Sequence, residues 1–541
     1  MTNFVFSSTQ PRERRRARLT SGRKPANVIV LLLIVGTFSV SHAQKENTHD
    51  VNLGRLSQAV EAISLGEFSK AEKLLKSVLG ASPNDPDALN LLGVVRAEEH
   101  KASEAESLFR RALASSPTHV GVHINLAKLL QSTNRLPEAL RMWKAAQRLA
   151  PDRAEINLNL ATLSVDTGDY LQALEYLRLI PRVDVDDEYF LLTLKSLLGL
   201  KRLDASRQFA SEFKEIKTVE PETQARFAML LAKGGLSDEA LDLLEVARGR
   251  SPAAFPVSYA LGVINAARRQ YDKAEQHLSD ALKIKPDDVT TLRALANVSR
   301  ATGNLEKALS YLVQARHLAP NDQSVLYDFG VTTLKMELLL DALPVFEQLH
   351  NAYPRKPNYL YALAAVRWRK GETVETARLM KSYVLLQPQD PLGFYLLGAA
   401  LLRQDLFGEA RAALERSLTL KADPDTEYLL GVSLEKEGNR AAAIEIYRKI
   451  VNSRPDHAAA HAALGAAYRE VGNYVEARTA LERAVQLDAS DLRANYQLGL
   501  VYAKLGEKEA AKKMFARADE LRQQHRSNES VILKLIEPPQ Q

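Results

Sequence analysis

Residues 87–117 decide the fold, and they read DALNLLGVVRAEEHKASEAESLFRRALASSP. The first half carries apolar and small residues at helical spacing around Leu92 and Gly93, and the second half does so around Ala105 and Phe109. Pro117 closes the second half, because proline cannot continue a helix. The stretch therefore predicts two short amphipathic helices.

The alanine at position 105 recurs along the chain at a nearly fixed period. Alanine returns at intervals of 32 to 35 residues, mostly 34, on both sides of this position. The recurring residues are Ala71, Ala105, Ala139, Ala173, Ala205, Ala240, Ala274, Ala308, Ala342, Ala377, Ala410, Ala443, Ala477 and Ala511. A small residue at a fixed period marks a point where two helices approach closely, and this self-similarity is typical of a solenoid.

The residues around each alanine identify the type of repeat. With the alanine counted as position 20, position 8 is often glycine, position 24 is bulky and position 32 is often proline. The signature residues include Gly93, Ala105, Pro117, Ala139, Pro151, Ala274, Pro286, Ala308, Pro320, Gly431, Ala477, Gly499 and Ala511. The pattern resembles the tetratricopeptide repeat (TPR), in fourteen copies over about residues 52–525. The resemblance implies an all-α fold of antiparallel helix pairs, stacked into a right-handed superhelix whose concave wall binds partners.

Composition and charge exclude several classes of function. The 541 residues contain no cysteine, which excludes disulfides, thiolate metal sites and cysteine nucleophiles. Residues 1–43 hold seven basic residues and one acidic residue, so they account for the whole formal charge of +6. The remaining chain is formally neutral, so it has no excess of positive charge that would attract the phosphates of a nucleic acid. We therefore expect no nucleic-acid partner.

Residues 1–43 have the organisation of a signal peptide. A basic stretch precedes an apolar run from Val28 to Val40, and the small residues Ser41 and Ala43 suit signal peptidase. We expect cleavage before Gln44, and export to the periplasm or the extracellular space. The alternative is an uncleaved membrane anchor formed by residues 28–40, although thirteen residues are short for a bilayer span of about 20.

The remaining chain divides into repeats with one irregular unit. We predict a short linker at 44–51, repeats 1–4 at 52–187, a divergent repeat 5 at 188–220 that forms a junction, repeats 6–14 at 221–526, and a tail at 527–541. Repeat 5 retains only Ala205 and Phe209 of the signature, and we predict one extra residue before Ala377 in its repeat. The tail carries one apolar run, Val531 to Ile536, which is either disordered or docked on the repeats.

Chemistry-bearing motifs are scarce. The sequence has no phosphate loop, nucleophile elbow or zincin motif, so we predict no enzyme activity and no cofactor or metal. The acidic run before Glu188 is better explained by helix capping than by calcium binding. His457 and His461 are four residues apart but lack a third ligand nearby in sequence. Asparagines and lysines near Asn125 do not reproduce the carboxylate-binding pattern of some members of the resembled family.

One pattern suggests a binding surface. Position 5 of the first helix is tyrosine in six repeats, at Tyr259, Tyr327, Tyr361, Tyr395, Tyr428 and Tyr496. At 100° per residue, this position lies away from the core-facing positions 4, 7, 8 and 11, so we expect these tyrosines outside the core of each pair. The resemblance places this face on the concave wall, with Lys335, Arg369, Arg403 and Lys436 at its rim. The alternative is that the tyrosines only fill space between adjacent first helices.

These patterns predict an exported, non-enzymatic scaffold that binds a protein or peptide along this stripe. Tyr361, Tyr395 and Tyr428 occupy three consecutive repeats and are the strongest candidate anchors. The alternative is an accessory subunit of an envelope polysaccharide or glycosyl-transfer assembly at a membrane, in which the rings stack on sugars. The sequence sets neither the partner nor the oligomeric state.

Overall fold

The computed structural model describes residues 46–181 and 185–525. Over these residues the chain forms 28 helices and no strand. It divides into two compact units, Met1–Leu243 (unit 1) and Leu244–Gln541 (unit 2). The predicted signal peptide at 1–43 and the tail at 527–541 lie outside the described residues.

The helices of unit 1 follow the predicted repeats, one short helix pair after another. They are α1 (Glu46–Ser64), α2 (Phe68–Ala81), α3 (Pro86–Glu98), α4 (Ala102–Ser115), α5 (Val120–Ser132), α6 (Leu136–Leu149), α7 (Ala154–Asp166), α8 (Tyr170–Arg178), α9 (Asp187–Gly199), α10 (Leu203–Lys214) and α11 (Pro221–Lys233). The next helix, α12 (Ser237–Arg250), contains the boundary between the units.

Unit 2 continues the same alternation. Its helices are α13 (Phe255–Ala267), α14 (Tyr271–Ile284), α15 (Val289–Ala301), α16 (Leu305–Leu318), α17 (Gln323–Lys335), α18 (Leu339–Ala352), α19 (Pro357–Arg369), α20 (Thr373–Leu386), α21 (Pro391–Leu402), α22 (Phe407–Leu420), α23 (Pro424–Lys436), α24 (Arg440–Ser453), α25 (Ala458–Glu470), α26 (Tyr474–Leu487), α27 (Leu492–Lys504) and α28 (Lys508–His525). We call the odd-numbered helix of each pair its first helix and the even-numbered helix its second helix. Within each unit, nearly all helices adjacent in sequence pack together, so each unit is an all-α solenoid.

The recurring small residue lies at the point of closest helix approach, as the sequence predicted. Ala105, Ala139 and Ala274 are fully buried. Two of the alanines assigned from sequence are wrong, however. Ala205 is exposed and its neighbour Ser206 is fully buried, while Thr376 is fully buried and its neighbour Ala377 is slightly less so.

A hydroxyl residue can replace alanine at this position because the helix itself satisfies its polar atom. Ser206 Oγ donates to the carbonyl oxygen of Arg202 at 3.0 Å, and Thr376 Oγ1 donates to that of Glu372 at 2.9 Å. With Thr376 as position 20, Pro388 falls at position 32 and the unit keeps the regular period. The predicted extra residue before Ala377 is therefore absent.

The glycine at position 8 has a packing reason. A Cβ atom at Gly93 would lie 2.6 Å from Phe109 Cε1, and one at Gly431 would lie 2.4 Å from Tyr447 Cε1. These bulky residues occupy position 24 of the second helix and are buried. Their rings rest directly on the backbone of the first helix, which explains why positions 8 and 24 recur together.

Each pair turns from its first to its second helix through one residue with a left-handed backbone. The fourteen φ angles lie between 56° and 89°. Eight of these residues are glycine, and the other six are His100, Asn134, Lys201, Arg269, Glu337 and Asp405. A left-handed conformation costs a non-glycine residue roughly 1–2 kcal/mol, so six turns hold residues in a strained state.

Repeat 5 departs from the pattern for local reasons. The preceding second helix, α8, has 9 residues where α2, α4 and α6 have 14, which shortens the period. The Asp186 side chain accepts a hydrogen bond from the Tyr189 backbone N–H, so it caps α9 as expected.

Aromatic packing replaces the missing signature in repeat 5. Phe213 stacks on Phe227 of α11 with ring centroids 3.9 Å apart, and Phe190 and Phe209 complete the cluster. The division between the compact units falls at Leu243, one repeat after this region. The junction at 188–220 stays a prediction.

Acid should weaken the N-terminal pairs of unit 1. Glu72 of α2 pairs with Arg96 of α3 at 2.5 Å, and hydrogen bonds from Arg96 and Lys76 lower the pKa of Glu72 from 4.5 to about 2. Because the folded-state pKa is the lower one, this stabilisation is present above pH 4.5 and is lost as the pH falls toward 2. We expect Glu72→Gln to cost about 1 kcal/mol at pH 7, allowing for solvent screening, and almost nothing at pH 2. Hydrogen exchange of α2 and α3 at both values measures this, and an equal cost at both would contradict it.

Candidate binding surface

The six predicted tyrosines all lie on first helices of unit 2. Those helices are α13, α17, α19, α21, α23 and α27. First helices of neighbouring pairs contact one another in α13/α15, α15/α17, α17/α19, α21/α23, α23/α25 and α25/α27. We call the surface formed by positions 5 and 9 of these helices the first-helix wall.

The wall combines large rings with small spacers. Position 9, one turn after each tyrosine, holds Val263, Val331, Ala365, Ala399 or Val432, all buried or half-buried. Five of the tyrosines are half-buried, and Tyr496 is exposed at 41%. In the first-helix wall, the tyrosine rings at position 5 therefore lie next to small or apolar side chains at position 9.

The tyrosines pack more deeply than the helical spacing predicts. Tyr361 lies 5.5 Å, centroid to centroid, from Tyr383 of its own second helix, and Tyr428 lies 6.1 Å from Tyr447. Tyr327 and Tyr496 make the same kind of contact, with Phe346 at 6.1 Å and Phe515 at 5.6 Å. The expectation that position 5 lies outside the core of each pair is wrong for the half-buried Tyr327, Tyr361 and Tyr428, whereas Tyr496 is exposed despite its contact. The physical reason is that long helical side chains lean toward the helix N-terminus and reach the neighbouring helix.

Two of the tyrosines also contact the next repeat. The ring of Tyr327 lies 5.7 Å from Tyr359 of α19, and that of Tyr428 lies 5.7 Å from His457, the residue that caps α25. Tyr395 is half-buried and has no aromatic ring against it among the residues that the structure describes. The packing role that the sequence left open is thus present in the stripe, and its role in binding stays a prediction.

The hydroxyl groups of the stripe experience very different surroundings. The Tyr327 hydroxyl is buried and has no hydrogen-bond partner in the described part of the chain. Burial, together with the nearby Asp328 carboxylate, raises its pKa above 10. Burial raises the pKa of Tyr361 to about 12. By contrast, Tyr383 of the second helix α20, which contacts Tyr361 but is not part of the stripe, donates its hydroxyl hydrogen to Asp390 Oδ2 at 2.6 Å.

Removing the hydroxyl should therefore have opposite effects on stability at Tyr327 and at Tyr383. We expect Tyr327→Phe to stabilise unit 2 by about 1 kcal/mol, because an unpaired buried hydroxyl is lost. Tyr383→Phe serves as the matched variant and should cost about 1–2 kcal/mol, because it breaks a hydrogen bond to a carboxylate. Urea unfolding followed by hydrogen exchange over α17–α21 measures both. Equal losses in the two variants would show that the Tyr327 hydroxyl is satisfied.

The four predicted rim cations occupy the last turns of four consecutive first helices or the residue that follows. Arg369 pairs with Glu337 at 2.7 Å, and the Arg403 guanidinium lies 4.2 Å from the centre of the Trp368 ring. Lys436 is exposed at the end of α23. Cations at a helix C-terminus are stabilised by the helix dipole, so their positions have a structural reason independent of binding.

The two histidines are engaged in local structure. His457 Nδ1 accepts from the Ala460 backbone N–H at 3.1 Å and caps α25, and His461 Nε2 lies 3.2 Å from the Pro455 carbonyl oxygen. Over residues 46–181 and 185–525, no group of three or more potential metal ligands occurs. His457 thus caps α25, and His461 contacts the loop that precedes this helix.

Unit 1 contains an amide pair that sequence reasoning did not single out. Asn125 Nδ2 donates to Asn90 Oδ1 at 2.9 Å, which joins the first helices α5 and α3. One turn later, Lys128 pairs with Glu155 at 2.6 Å. The two asparagines occupy different positions of their repeats, 6 and 5, so a search at one fixed position could not find the pair.

The family comparison agrees with the repeats and their geometry. The tetratricopeptide repeat family matches residues 56–120, 124–184 and 226–289. Further matches to tetratricopeptide repeats cover residues 96–147, 425–457, 467–506 and 492–525. This chain belongs to the tetratricopeptide repeat family.

Curated relatives share parts of this chain. BBSome complex member BBS4 of Bos taurus is 24% identical over 291 residues, which are 53% of this chain and 55% of that protein. Protein O-mannosyl-transferase TMTC1 of Homo sapiens is 28% identical over 209 residues, 37% of this chain and 24% of that protein. Cellulose synthase operon protein C of Pseudomonas fluorescens is 24% identical over 298 residues, 51% and 23% of the two chains. The chain thus spans about half the length of the first relative and about a quarter of the others.

Solved structures resemble the chain at low identity. The APC/C hetero-tetramer Cut9-Hcn1 has a TM-score of 0.38 at 16% identity and covers 88% of this chain and 94% of that chain. Yeast Tom70 has a TM-score of 0.32 at 17% identity and covers 82% and 97%.

Within the part of the chain that the structure describes, no helix is both long and apolar enough to cross a membrane.

Proposed function

We propose that this protein is a non-enzymatic scaffold that binds an extended segment of a partner protein along the first-helix wall of unit 2. The observation that carries this proposal is the run of Tyr361, Tyr395 and Tyr428 on three consecutive first helices, with small or apolar residues between the rings. Neighbouring helices pack about 8–10 Å apart, and an extended chain advances about 3.3 Å per residue. One tyrosine therefore meets about every third residue of the bound segment.

The wall fits a polypeptide better than a sugar. Stacking on a sugar needs an open ring face, and the rings of Tyr361 and Tyr428 are half-buried against other aromatic rings. The edges of the tyrosine rings and the grooves between neighbouring first helices can contact an extended peptide. The alternative, a subunit of a glycosyl-transfer or polysaccharide assembly, is favoured by the partial similarity to two relatives, an O-mannosyl-transferase and a cellulose synthase operon protein.

Site-directed photo-crosslinking in the native host tests the two functions. A photoreactive residue at Lys436, exposed at the end of a first helix, should capture a polypeptide, and mass spectrometry should place the link in one defined segment. The matched control is Leu385, which is 81% exposed on a second helix and should capture none. A product that disappears after glycosidase treatment would favour the glycan assembly. Equal capture at both positions would show that the first-helix wall is not the binding surface.

The proposal includes export through the N-terminal segment. The basic stretch, the apolar run to Val40 and the small residues Ser41 and Ala43 motivate it. We expect N-terminal sequencing of protein from the native host to begin at Gln44. An intact leader on membrane-bound protein would instead support an anchor at residues 28–40.

A further inference from the structure

The first-helix wall of unit 2 is interrupted at α15, where both of its positions hold polar residues. Position 5 is tyrosine in the neighbouring first helices α13 and α17, but it is Arg293 in α15. Position 9 is valine in the same two neighbours, but it is Asn297 in α15. One repeat of the wall therefore presents a guanidinium group and an amide where its neighbours present a ring and an apolar side chain.

Arg293 is held in place by the next first helix. Its Nε atom donates to Asp328 Oδ2 of α17 at 2.9 Å. The Asp328 side chain is only 11% exposed, so packing fixes the position of its carboxylate. The Arg293 side chain is 30% exposed, and its Nη1 and Nη2 atoms have no partner among the residues that the structure describes. A guanidinium that is fixed through Nε keeps these two terminal nitrogens available as a pair for one carboxylate.

The charges around Asp328 do not balance. Arg300, two turns after Arg293 on α15, also binds Asp328, with its Nη2 atom 3.4 Å from Oδ1, and it donates to Asn297 Oδ1 as well. Two guanidinium groups thus share one carboxylate, and one positive charge is left in excess. Arg300 alone would neutralise Asp328, so the packing of α15 on α17 does not require the charge of Arg293. A half-buried charge without a counter-charge costs free energy, which an acidic group of a partner would recover.

Arg293 also lies beside a tyrosine of the wall. Burial and the Asp288 carboxylate raise the pKa of Tyr259, and the positive charge of Arg293 opposes this rise, so the guanidinium lies within electrostatic range of the Tyr259 hydroxyl. Asp288 itself caps α15, because it accepts from the Thr291 backbone N–H at 2.7 Å. The surplus cation is therefore part of the same surface as the tyrosines, in the repeat between those of Tyr259 and Tyr327.

We propose that Arg293 binds an acidic side chain of the partner segment and so fixes the register of this segment on the first-helix wall. This inference rests on the proposed function. The carboxylate belongs to a side chain and not to a chain terminus, because the tyrosines continue on both sides of α15 and a segment that meets them runs past it. Arg293 lies two repeats before Tyr361, about 16–20 Å at 8–10 Å per first helix. The acidic residue is then about five or six residues from the one that meets Tyr361.

Selection of displayed peptides on the full-length protein tests this specificity. The probe is a library of random segments of about twelve residues, long enough to cross about four first helices, inserted within a carrier protein so that neither terminus is free. The unchanged chain should enrich aspartate or glutamate over asparagine or glutamine at one position by about tenfold, as expected for a charge-assisted hydrogen bond.

Three protein variants assign this preference to Arg293. Arg293→Gln should abolish it, and the fold should be kept because Arg300 still pairs with Asp328. Arg293→Lys keeps the charge and should restore part of the preference, which a merely structural role would not do. The matched control is Arg378→Gln, which removes the same charge from a side chain that is 62% exposed on the second helix α20. This control should leave the preference unchanged.

A substitution in the peptide gives a second measurement on the unchanged protein. The best peptide, with its acidic residue replaced by the corresponding amide, should bind about tenfold more weakly to the unchanged chain and no more weakly to Arg293→Gln. If peptides are enriched without an acidic preference, or if Arg293→Gln retains this preference, the assignment to Arg293 is overturned and the first-helix wall stays supported. If the unchanged chain enriches no peptide at all, the proposed function fails, and this inference fails with it.

Discussion

Gly431→Ala should destabilise the pair α23/α24 by about 2 kcal/mol, although alanine is the better helix former. The added Cβ atom would lie 2.4 Å from Cε1 of Tyr447, a side chain that is fully buried and whose hydroxyl bonds Glu435 at 3.2 Å. The ring therefore has little room to move. Overpacking costs typically about 1–3 kcal/mol, and the clash here is severe, whereas helix propensity returns only about 1 kcal/mol.

Gly408→Ala is the matched control for this change. It lies in α22 of the same unit, and a Cβ atom there would meet only Glu437 Oε1 at 3.5 Å, an ordinary contact. We expect this variant to be neutral or stabilised by up to about 1 kcal/mol. Hydrogen exchange in α22–α24 under mild denaturant separates the two, because repeats unfold locally. Similar effects of both substitutions would mean that glycine at position 8 has no packing role.

Tyr395→Ser should weaken partner binding by roughly thirtyfold while leaving the repeats folded. Aromatic anchors at interfaces often contribute about 2 kcal/mol or more each, and Tyr395 has no aromatic partner in the described part of the chain. Tyr361 is the contrasting case. Its ring contacts Tyr383, so Tyr361→Ser should lower stability as well as affinity.

Thermal melting and affinity for the crosslinked partner segment should be measured together. Leu385→Ser, on an exposed site outside the first-helix wall, should change neither quantity. If Tyr395→Ser stays folded and binds its partner as tightly as the unchanged chain, the wall is not the binding surface. If it melts early, Tyr395 packs like its neighbours.

The period and the identity of the core could be predicted from the sequence because they depend on residue size. Where two helices approach closely, only a small side chain fits between them. Alanine therefore recurs at a regular interval in the sequence, as at the buried Ala105 and Ala274. The same reasoning failed at Ser206 and Thr376. There this space is filled by a small polar residue whose hydroxyl bonds the helix backbone, and an exposed or less deeply buried alanine stands next to it.

The candidate surface was predictable only in part. The tyrosines do share one surface, but a helical wheel places the Cα–Cβ direction and not the end of a long side chain. It therefore missed the contact between Tyr428 and Tyr447. The amide pair of Asn90 and Asn125 depends on two helices from different repeats, so no single repeat contains the information.

The residues at the left-handed turns differ between the earlier pairs and the last three pairs of the chain. From Gly168 to Gly438, pairs with a glycine turn alternate with pairs whose turn residue is strained, whereas the last three pairs turn through Gly438, Gly472 and Gly506. Forming the first interface between two repeats is the slow step in a one-dimensional array, and it can occur at any position. It costs least where neighbouring units carry no turn strain. Folding of unit 2 is therefore expected to nucleate near its C-terminal pairs and to spread toward the N-terminus.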